Sequence, residues 1–242
     1  MDRMIYVGMA GAKMDMQRQE VLSNNLANAS TTGFRAELQA IRAVPVRGDG
    51  ASTRVYSLET TVGYDDAQGP ITSTGRPLDV ALQGKSMLAV SGLDGTEAYT
   101  RFGSLTVNNE GVLMTQGGLP VLGDGGPITI PQNADPSIAP DGTVSAKEAN
   151  GKITLVGKLK LVTPETKLTR GEDGLFRNVD GDLPADANAR VQDGALEGSN
   201  VNPVETMISM IAAARQFEAQ MKLIQTSESN EKAASQLLSG NA

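Results

Sequence analysis

The chain has 242 residues, with 28 acidic and 21 basic side chains and a net charge of −7. This length allows one or two domains with hydrophobic cores, while the acidic balance argues against binding to nucleic acid or anionic membranes. His and Cys are both absent, which excludes imidazole acid–base chemistry, thiol nucleophiles and metal sites built on these ligands. We therefore expect no catalytic, cofactor-binding or metal site.

Residues 1–34 are predicted to form an amphipathic helix followed by a stop. Apolar side chains recur at helical spacing from Ile5 through Met16 to Leu26. The tract that follows is rich in Asn, Ser and Thr and contains Gly33, so the helix should end near Asn28. The Asn side chains of this tract either simply end the helix or donate hydrogen bonds to a neighbouring backbone.

The first dozen residues loosely imitate a secretory signal, because Arg3 precedes an apolar stretch. This stretch is shorter than the roughly 15 to 30 residues of a usual signal, and the helical pattern continues beyond it. We therefore expect no cleaved leader. No apolar run approaches the roughly 18 residues of a membrane span, so no membrane span is predicted.

The middle of the chain consists of two segments with different sequence patterns. Residues 35–75 contain Pro45, several Gly and β-branched residues without a clear period, which indicates an extended connector with a strand or two. Residues 76–195 alternate short apolar runs with turns such as Asp94-Gly95 and Asp141-Gly142. Short strands separated by Gly-containing turns predict a mainly-β domain.

Residues 196–242 contain a second predicted helix. Asn202 is suited to cap it, Pro203 to occupy its first position, and Glu205 to return a hydrogen bond to the cap. The apolar residues that follow are three and four positions apart, as along one seam of a coiled coil.

The predicted fold is mixed α and β, with paired, coiled-coil-like N- and C-terminal helices flanking a central mainly-β domain. The two ends could pair only with each other inside one chain, but a two-helix hairpin with such wide seams would leave apolar surface exposed. We therefore favour assembly with further subunits, and expect the isolated chain to have a folded β domain and largely disordered ends until neighbours cover them. The expected assembly interface comprises Ile5, Met9, Met16, Asn24, Asn25, Leu26, Asn28, Met207, Met210, Ala214, Phe217, Met221 and Ile224.

Carboxylates are plentiful, and a hydrolase with a pair of acids needs neither His nor Cys. Most Asp residues, however, stand beside Gly, where Asp commonly forms a turn. The segment 179–182 resembles a fragment of a calcium loop but lacks the later ligands. Turn formation is the better interpretation of these acids.

Four segments, taken together, resemble the shared signatures of the flagellar rod and hook protein family. They are Ser23 to Phe34, Arg76 to Ala81, Tyr99 to Ser104 and Leu196 to Glu205. Within the family, the opening residues 1–6, the run 34–46 and the stretch Arg215 to Glu218 resemble proximal-rod members. Distal-rod members usually have Arg-Ala-Tyr at the position of Arg215-Gln216-Phe217.

This resemblance implies a structural subunit of the bacterial flagellar basal body, not an enzyme, located in the periplasmic rod and exported by the flagellar type III apparatus without a cleaved signal. Its partners would be that apparatus, other rod proteins and copies of itself. Polymerisation through the terminal helices would help to transmit torque from motor to hook. The alternatives are a distal-rod or hook-type axial protein of the same family, or a carboxylate-based hydrolase built on the β domain.

Overall fold

The computed structural model describes residues 2–45 and 55–239, and the surroundings of the side chains at 5–40, 63–233, 235 and 236. The chain divides into two units. The first, termed the helical unit, contains helices α1 (Asp2–Ala27) and α2 (Pro203–Ser239), strand β1 (Glu37–Pro45), and β2 (Val55–Tyr64) as far as Val62. The second, termed the β unit, contains residues 28–36 and 63–201.

Helix α2 begins as its sequence predicts. The Oδ1 atom of Asn202 accepts hydrogen bonds from the backbone N–H of Val204 at 3.1 Å and of Glu205 at 3.4 Å. Pro203 is the first helical residue, where its missing N–H carries no penalty. The helix has 37 residues, about 55 Å at 1.5 Å per residue. Within the described ranges, neither helix contains a stretch apolar enough to span a membrane.

Two glycines let α1 and α2 approach closely. A Cβ atom on Gly8 would lie 2.9 Å from Cγ1 of Ile224, and one on Gly11 would lie 3.0 Å from Cδ of Gln220. As the chain advances along α1, the contacts move back along α2, so the helices are antiparallel. The predicted pairing of the two terminal helices is therefore observed within one chain.

Asp15 lies fully buried on α1, and neither of its carboxylate oxygens has a hydrogen-bond partner among the residues whose side chains the structure describes. Burial raises the pKa of the Asp15 carboxyl, and the positive charge of Arg18 only partly opposes this rise. A buried carboxylate without a partner opposes folding while it is ionised. The helical unit thus carries a destabilising group at its centre, which the sequence pattern did not reveal.

The segment predicted as a connector contains the two longest strands, β1 and β2, which pair as a two-stranded sheet. Residues 46–54 of that segment lie outside the described residues. Asn25 fixes β1 to α1, because its Nδ2 donates to the carbonyl of Glu37 at 3.0 Å and its Oδ1 accepts from the Glu37 N–H at 2.9 Å. Gln39 adds a bond to the carbonyl of Gln17 at 3.2 Å.

The β unit is built from short antiparallel strands, as the sequence predicts. They are β3 (Ile71–Ser73), β4 (Val80–Leu82), β5 (Met87–Ser91), β6 (Glu97–Thr100), β7 (Leu105–Val107), β8 (Leu113–Thr115), β9 (Leu122–Gly123), β10 (Gly126–Pro127), β11 (Asp135–Ile138), β12 (Thr143–Lys147), β13 (Ile153–Lys158), β14 (Leu161–Val162), β15 (Thr169–Arg170), β16 (Phe176–Arg177), β17 (Val191–Asp193) and β18 (Ala195–Glu197). The largest sheet has the order β14-β5-β6-β16-β15, and a second has the order β11-β12-β13. The remaining strands pair as β3 with β18, β4 with β17, β7 with β8 and β9 with β10.

The turns between strands use Asp as the sequence predicts. Asp141 Oδ1 accepts the backbone N–H of Thr143 at 3.0 Å, and Gly142 supplies the positive φ of 83°. The hydrogen bonds from Thr143 lower the pKa of Asp141. Asp94 and Thr96 repeat this arrangement at the β5–β6 turn. The aliphatic core enclosed by these strands includes Val80, Leu82, Leu88, Val90, Leu105, Leu113, Val121, Val144 and Leu161.

A buried ionic cluster joins three distant segments of the β unit. Glu197 contacts Arg35 Nη2 at 2.8 Å through Oε1 and accepts from Arg101 Nε at 2.8 Å through Oε2. Each of the three residues is 2% exposed. The remaining N–H groups of Arg101 bond to backbone carbonyls of the 82–86 segment at 2.6 to 2.9 Å. The cluster therefore fixes both ends of the β unit against its central strands.

We predict that Asp15→Asn stabilises the helical unit by about 1–2 kcal/mol at neutral pH, because an uncharged amide loses less hydration on burial. A carboxyl whose pKa rises on folding binds more protons in the folded state. The stability of the wild-type helical unit should therefore fall as the pH rises above the unfolded value of 3.8. The advantage of the variant should disappear below about pH 4. Thermal unfolding followed by far-ultraviolet circular dichroism measures both effects.

The matched control is Glu20→Gln, which neutralises an exposed carboxylate on the same helix and should change stability little. A loss of helix stability in Asp15→Asn would contradict this account, because it would mean that the carboxylate makes a favourable contact.

We predict that Glu197→Gln destabilises the β unit by about 3–5 kcal/mol, because two buried guanidinium groups lose their only counter-charge within the cluster. Denaturant unfolding followed by near-ultraviolet circular dichroism reports on the buried rings of Tyr64 and Tyr99. Glu172→Gln, at an exposed acid of the same unit, is the control. Equal stability of the two variants would show that the cluster contributes nothing to the fold.

Candidate assembly interface

The predicted seam of α2 is only partly covered within one chain. Met210, Ala214, Phe217 and Ile224 are partly buried. Met207 is 49% exposed and Met221 is 38% exposed. Ala213, next to the predicted position 214, is the residue of this region that becomes fully buried, at 1% exposure. The seam residues thus divide between the contact inside the chain and the free surface.

On α1 the covered face is offset from the predicted one. Ile5 and Leu26 are partly buried, whereas Met9 is 56% exposed and Met16 is 60% exposed. Among the described residues of α1, the buried positions are Gly8, Ala12, Asp15 and Asn25. Small residues occupy the close contact with α2, and the two methionines point away from it.

Further exposed apolar residues extend this surface beyond the predicted set. They are Tyr6, Val7, Val204, Ile208, Ile211 and Leu223, with exposed fractions between 37% and 66%. They lie outside the single seam that the sequence predicts, although Val204, Ile208 and Ile211 repeat at the same spacing on a neighbouring face. A helix that is apolar on more than one face requires more than one packing partner.

The three asparagines of the interface prediction have different surroundings. Asn25 is 6% exposed, and its amide donates one hydrogen bond to the Glu37 backbone of its own chain and accepts one from it. Asn28 accepts a hydrogen bond from the Thr31 hydroxyl at 3.1 Å. Asn24 is exposed. In this structure Asn25 joins a helix to a strand, and Asn28 stabilises the turn after α1.

Three of the four signature segments meet at the ionic cluster of the β unit, through Gly33, Arg101 and Glu197. The Gly33 N–H donates to the carbonyl of Glu197 at 2.8 Å, and a Cβ atom on Gly33 would lie 2.4 Å from the carbonyl oxygen of Arg101. Asn200 Oδ1 accepts the N–H of Ala36 at 2.7 Å, and its Nδ2 donates to Ala67 at 3.0 Å. These motifs therefore build a scaffold. Sequence reasoning missed the ionic cluster because its members lie far apart in the chain.

A groove of about 430 Å³ lies beside these motifs. It is lined mostly by hydroxyl, amide and aromatic groups. Its described lining contains one carboxylate, Asp173, whose Oδ2 lies 2.7 Å from Arg177 Nη2. The described part of the chain also contains no group of three acids, His or Cys arranged to hold a metal ion. The groove has no acid pair of the kind that a carboxylate-based hydrolase requires.

Three family models match the chain in the order of its elements. Residues 5–35 match "Flagella basal body rod protein", residues 81–146 match "Flagellar hook protein FlgE/F/G D1 domain", and residues 192–237 match "Flagellar basal body rod FlgEFG protein C-terminal". The matches cover both helices and the first half of the β unit.

Similar proteins extend the match to nearly the whole chain. The flagellar basal-body rod protein FlgF of Salmonella typhimurium is 47% identical over 99% of both chains. FlgF of Caulobacter vibrioides is 38% identical over 93% of both chains. The flagellar basal-body rod protein FlgG of Bacillus subtilis is 32% identical over 93% of this chain and 95% of its own length. The chain therefore belongs to the flagellar basal-body rod protein family.

Proposed function

We propose that this chain is a structural subunit of the proximal rod of the bacterial flagellar basal body. It polymerises axially through its terminal helices and helps to transmit torque from the motor to the hook. The observation that carries this proposal is the 47% identity to a rod protein named FlgF over 99% of both chains. A distal-rod role is less well supported, since identity to a FlgG protein is 32%.

Related rod proteins and copies of this chain are the proposed partners, together with the type III export apparatus. The subunit is located in the periplasmic part of the basal body. Its role is mechanical and not enzymatic. A carboxylate-based hydrolase is not favoured, because the relatives are named as rod proteins.

The apolar faces of the helical unit support the assembly mechanism. α1 and α2 cover each other along Gly8, Gly11 and Ala213, and they pack as a coiled-coil-like pair. Met9, Met16, Ile208 and Ile211 are each more than half exposed in the single chain. Burial of one such side chain by a neighbouring subunit contributes roughly 1.5–3 kcal/mol. Several together offset the entropy lost when subunits associate.

Contacts between different surfaces of successive subunits produce an open helical polymer, which is the geometry of a rod. The helical unit suits this role because its exposed apolar residues lie on both helices and on more than one face of α2. A chain with one such face would form a closed dimer by pairing that face with itself.

We predict that Ile208→Asp blocks incorporation into the rod while the isolated chain keeps its helix content. Ile208 is 63% exposed, so its replacement leaves the contact between α1 and α2 intact. The loss of one buried side chain corresponds to roughly 10- to 150-fold weaker association. The measurements are motility of complemented cells, subunit content of purified basal bodies, and circular dichroism of the isolated protein.

Phe217→Asp should block incorporation into the rod and also lower the helix content of the isolated chain, because Phe217 is partly buried in the single chain. Ser229→Asp, at an exposed polar position of α2, is the matched control. Normal rod content in cells with Ile208→Asp would refute the assignment of this face.

We predict that limited proteolysis of the isolated chain removes both terminal helices first and leaves a fragment that spans the β unit, near residues 28–201. The exposed helix ends open locally, whereas the ionic cluster and aliphatic core protect the β unit. Mass spectrometry identifies the fragment. Terminal helices that resist cleavage as long as the β unit would contradict folding coupled to assembly.

A further inference from the structure

A second cavity, of about 260 Å³, lies in the β unit beside the ionic cluster. Both guanidinium groups of the cluster, from Arg35 and Arg101, line it. Lys85 and Lys167 line it as well, together with Tyr64 and Met87. In a chain with a net charge of −7, four cations around one cavity form a local concentration of positive charge.

The acids near this cavity do not balance the four cations. Asp66 and Glu165 line it, and Glu197 lies behind it in the ionic cluster. Among the described residues of the cavity and the cluster, one positive charge therefore remains without a counter-charge. Lys85 and Asp66 form a largely exposed pair at 3.3 Å, and such pairs are easily opened.

The guanidinium groups differ in how fully their N–H donors are used. Arg101 directs its donors to Glu197 and to the carbonyls of Leu82, Gly84 and Ser86. Arg35 contacts Glu197 through Nη2 and the Ala67 carbonyl through Nη1. Its Nε has no hydrogen-bond acceptor among the described residues. Arg35 is thus a buried cation with donor capacity left beside an open volume.

The pKa of Arg101 also indicates an excess of positive charge beside the cavity. Burial lowers the pKa of Arg101, and this effect exceeds the attraction of Glu197, while the positive charge of Arg35 adds to it. The single carboxylate therefore does not fully compensate the two buried guanidinium groups. An additional anion beside them would stabilise both.

We propose that this cavity binds one small oxyanion, of the size of a carboxylate or sulfate, held by Arg35 and Lys167 with Lys85 at the entrance. Guanidinium and ammonium groups form short, charge-assisted hydrogen bonds with such groups. The occupant is either a free anion or the carboxylate of an acidic side chain from a neighbouring subunit, since both present the same chemistry. This site is separate from the apolar faces of the helical unit.

The first test uses the isolated full-length chain. Sulfate and acetate are titrated against chloride at matched ionic strength, and the thermal unfolding midpoint of the β unit is measured by near-ultraviolet circular dichroism. A site that binds only the folded state should give a saturable rise in the midpoint. Lys167→Gln should weaken the apparent affinity by roughly tenfold, because it removes one charge-assisted hydrogen bond.

Lys152→Gln is the matched control, since it removes an exposed positive charge from the same unit and leaves the cavity unchanged. Its sulfate response should equal that of the wild type. An equal loss of response in both lysine variants would overturn the site and leave only general screening by salt.

The second test distinguishes the source of the anion, and only this test rests on the proposed function. A carboxylate from a neighbouring subunit predicts that Lys167→Gln reduces the subunit content of purified basal bodies, whereas Lys152→Gln does not. A free anion predicts the sulfate response with normal basal bodies. The absence of both effects would refute the site, although the chain could still be a rod subunit.

Discussion

The central constraint on this protein is that neither terminal helix can cover its apolar surface with a single partner. α2 carries apolar residues on two neighbouring faces, and only part of them contacts α1. Exposure of this much apolar surface to water is unfavourable, whereas its burial against a further subunit is favourable. The same constraint explains why small residues, and not the methionines, occupy the contact inside the chain. Close packing at Gly8 and Gly11 leaves the large side chains free for other contacts.

Asp15 affects the stability of the pair formed by α1 and α2. A buried carboxylate without a partner among the described residues weakens the pair of helices when it is ionised. The pair is therefore only moderately stable by itself. In the assembled state, contacts with neighbouring subunits would supply the stability that the isolated pair lacks.

The β unit, in contrast, is stabilised in part by a buried ionic cluster. Its strands are short, and the largest sheet has five of them, so long-range connections carry much of its stability. Glu197 supplies one such connection by joining Arg35 and Arg101 in the interior. Such a cluster requires a specific geometry, because a charge buried away from water is tolerated only when it contacts its partners. It also leaves an excess of positive charge, which is the physical basis of the proposed oxyanion site.

The local features of this protein follow from its amino-acid sequence. Helical spacing, the cap at Asn202, and Asp-Gly turns are encoded within a few residues, so the two helices and the mainly-β character of the middle could be predicted. The resemblance of four segments to a known family was likewise visible, and the similar proteins confirm it. The absence of His and Cys already excluded several classes of site.

Which residues meet depends on the tertiary fold. The offset between the predicted seam and the covered face of α1 depends on how closely the helices approach, which the spacing of apolar residues does not specify. The burial of Asp15 is likewise a property of the packed chain. The cluster of Arg35, Arg101 and Glu197 joins residues up to 162 positions apart, and each looks like an ordinary surface charge in its local sequence. Local patterns record propensity, whereas burial and charge pairing arise only when distant segments pack together.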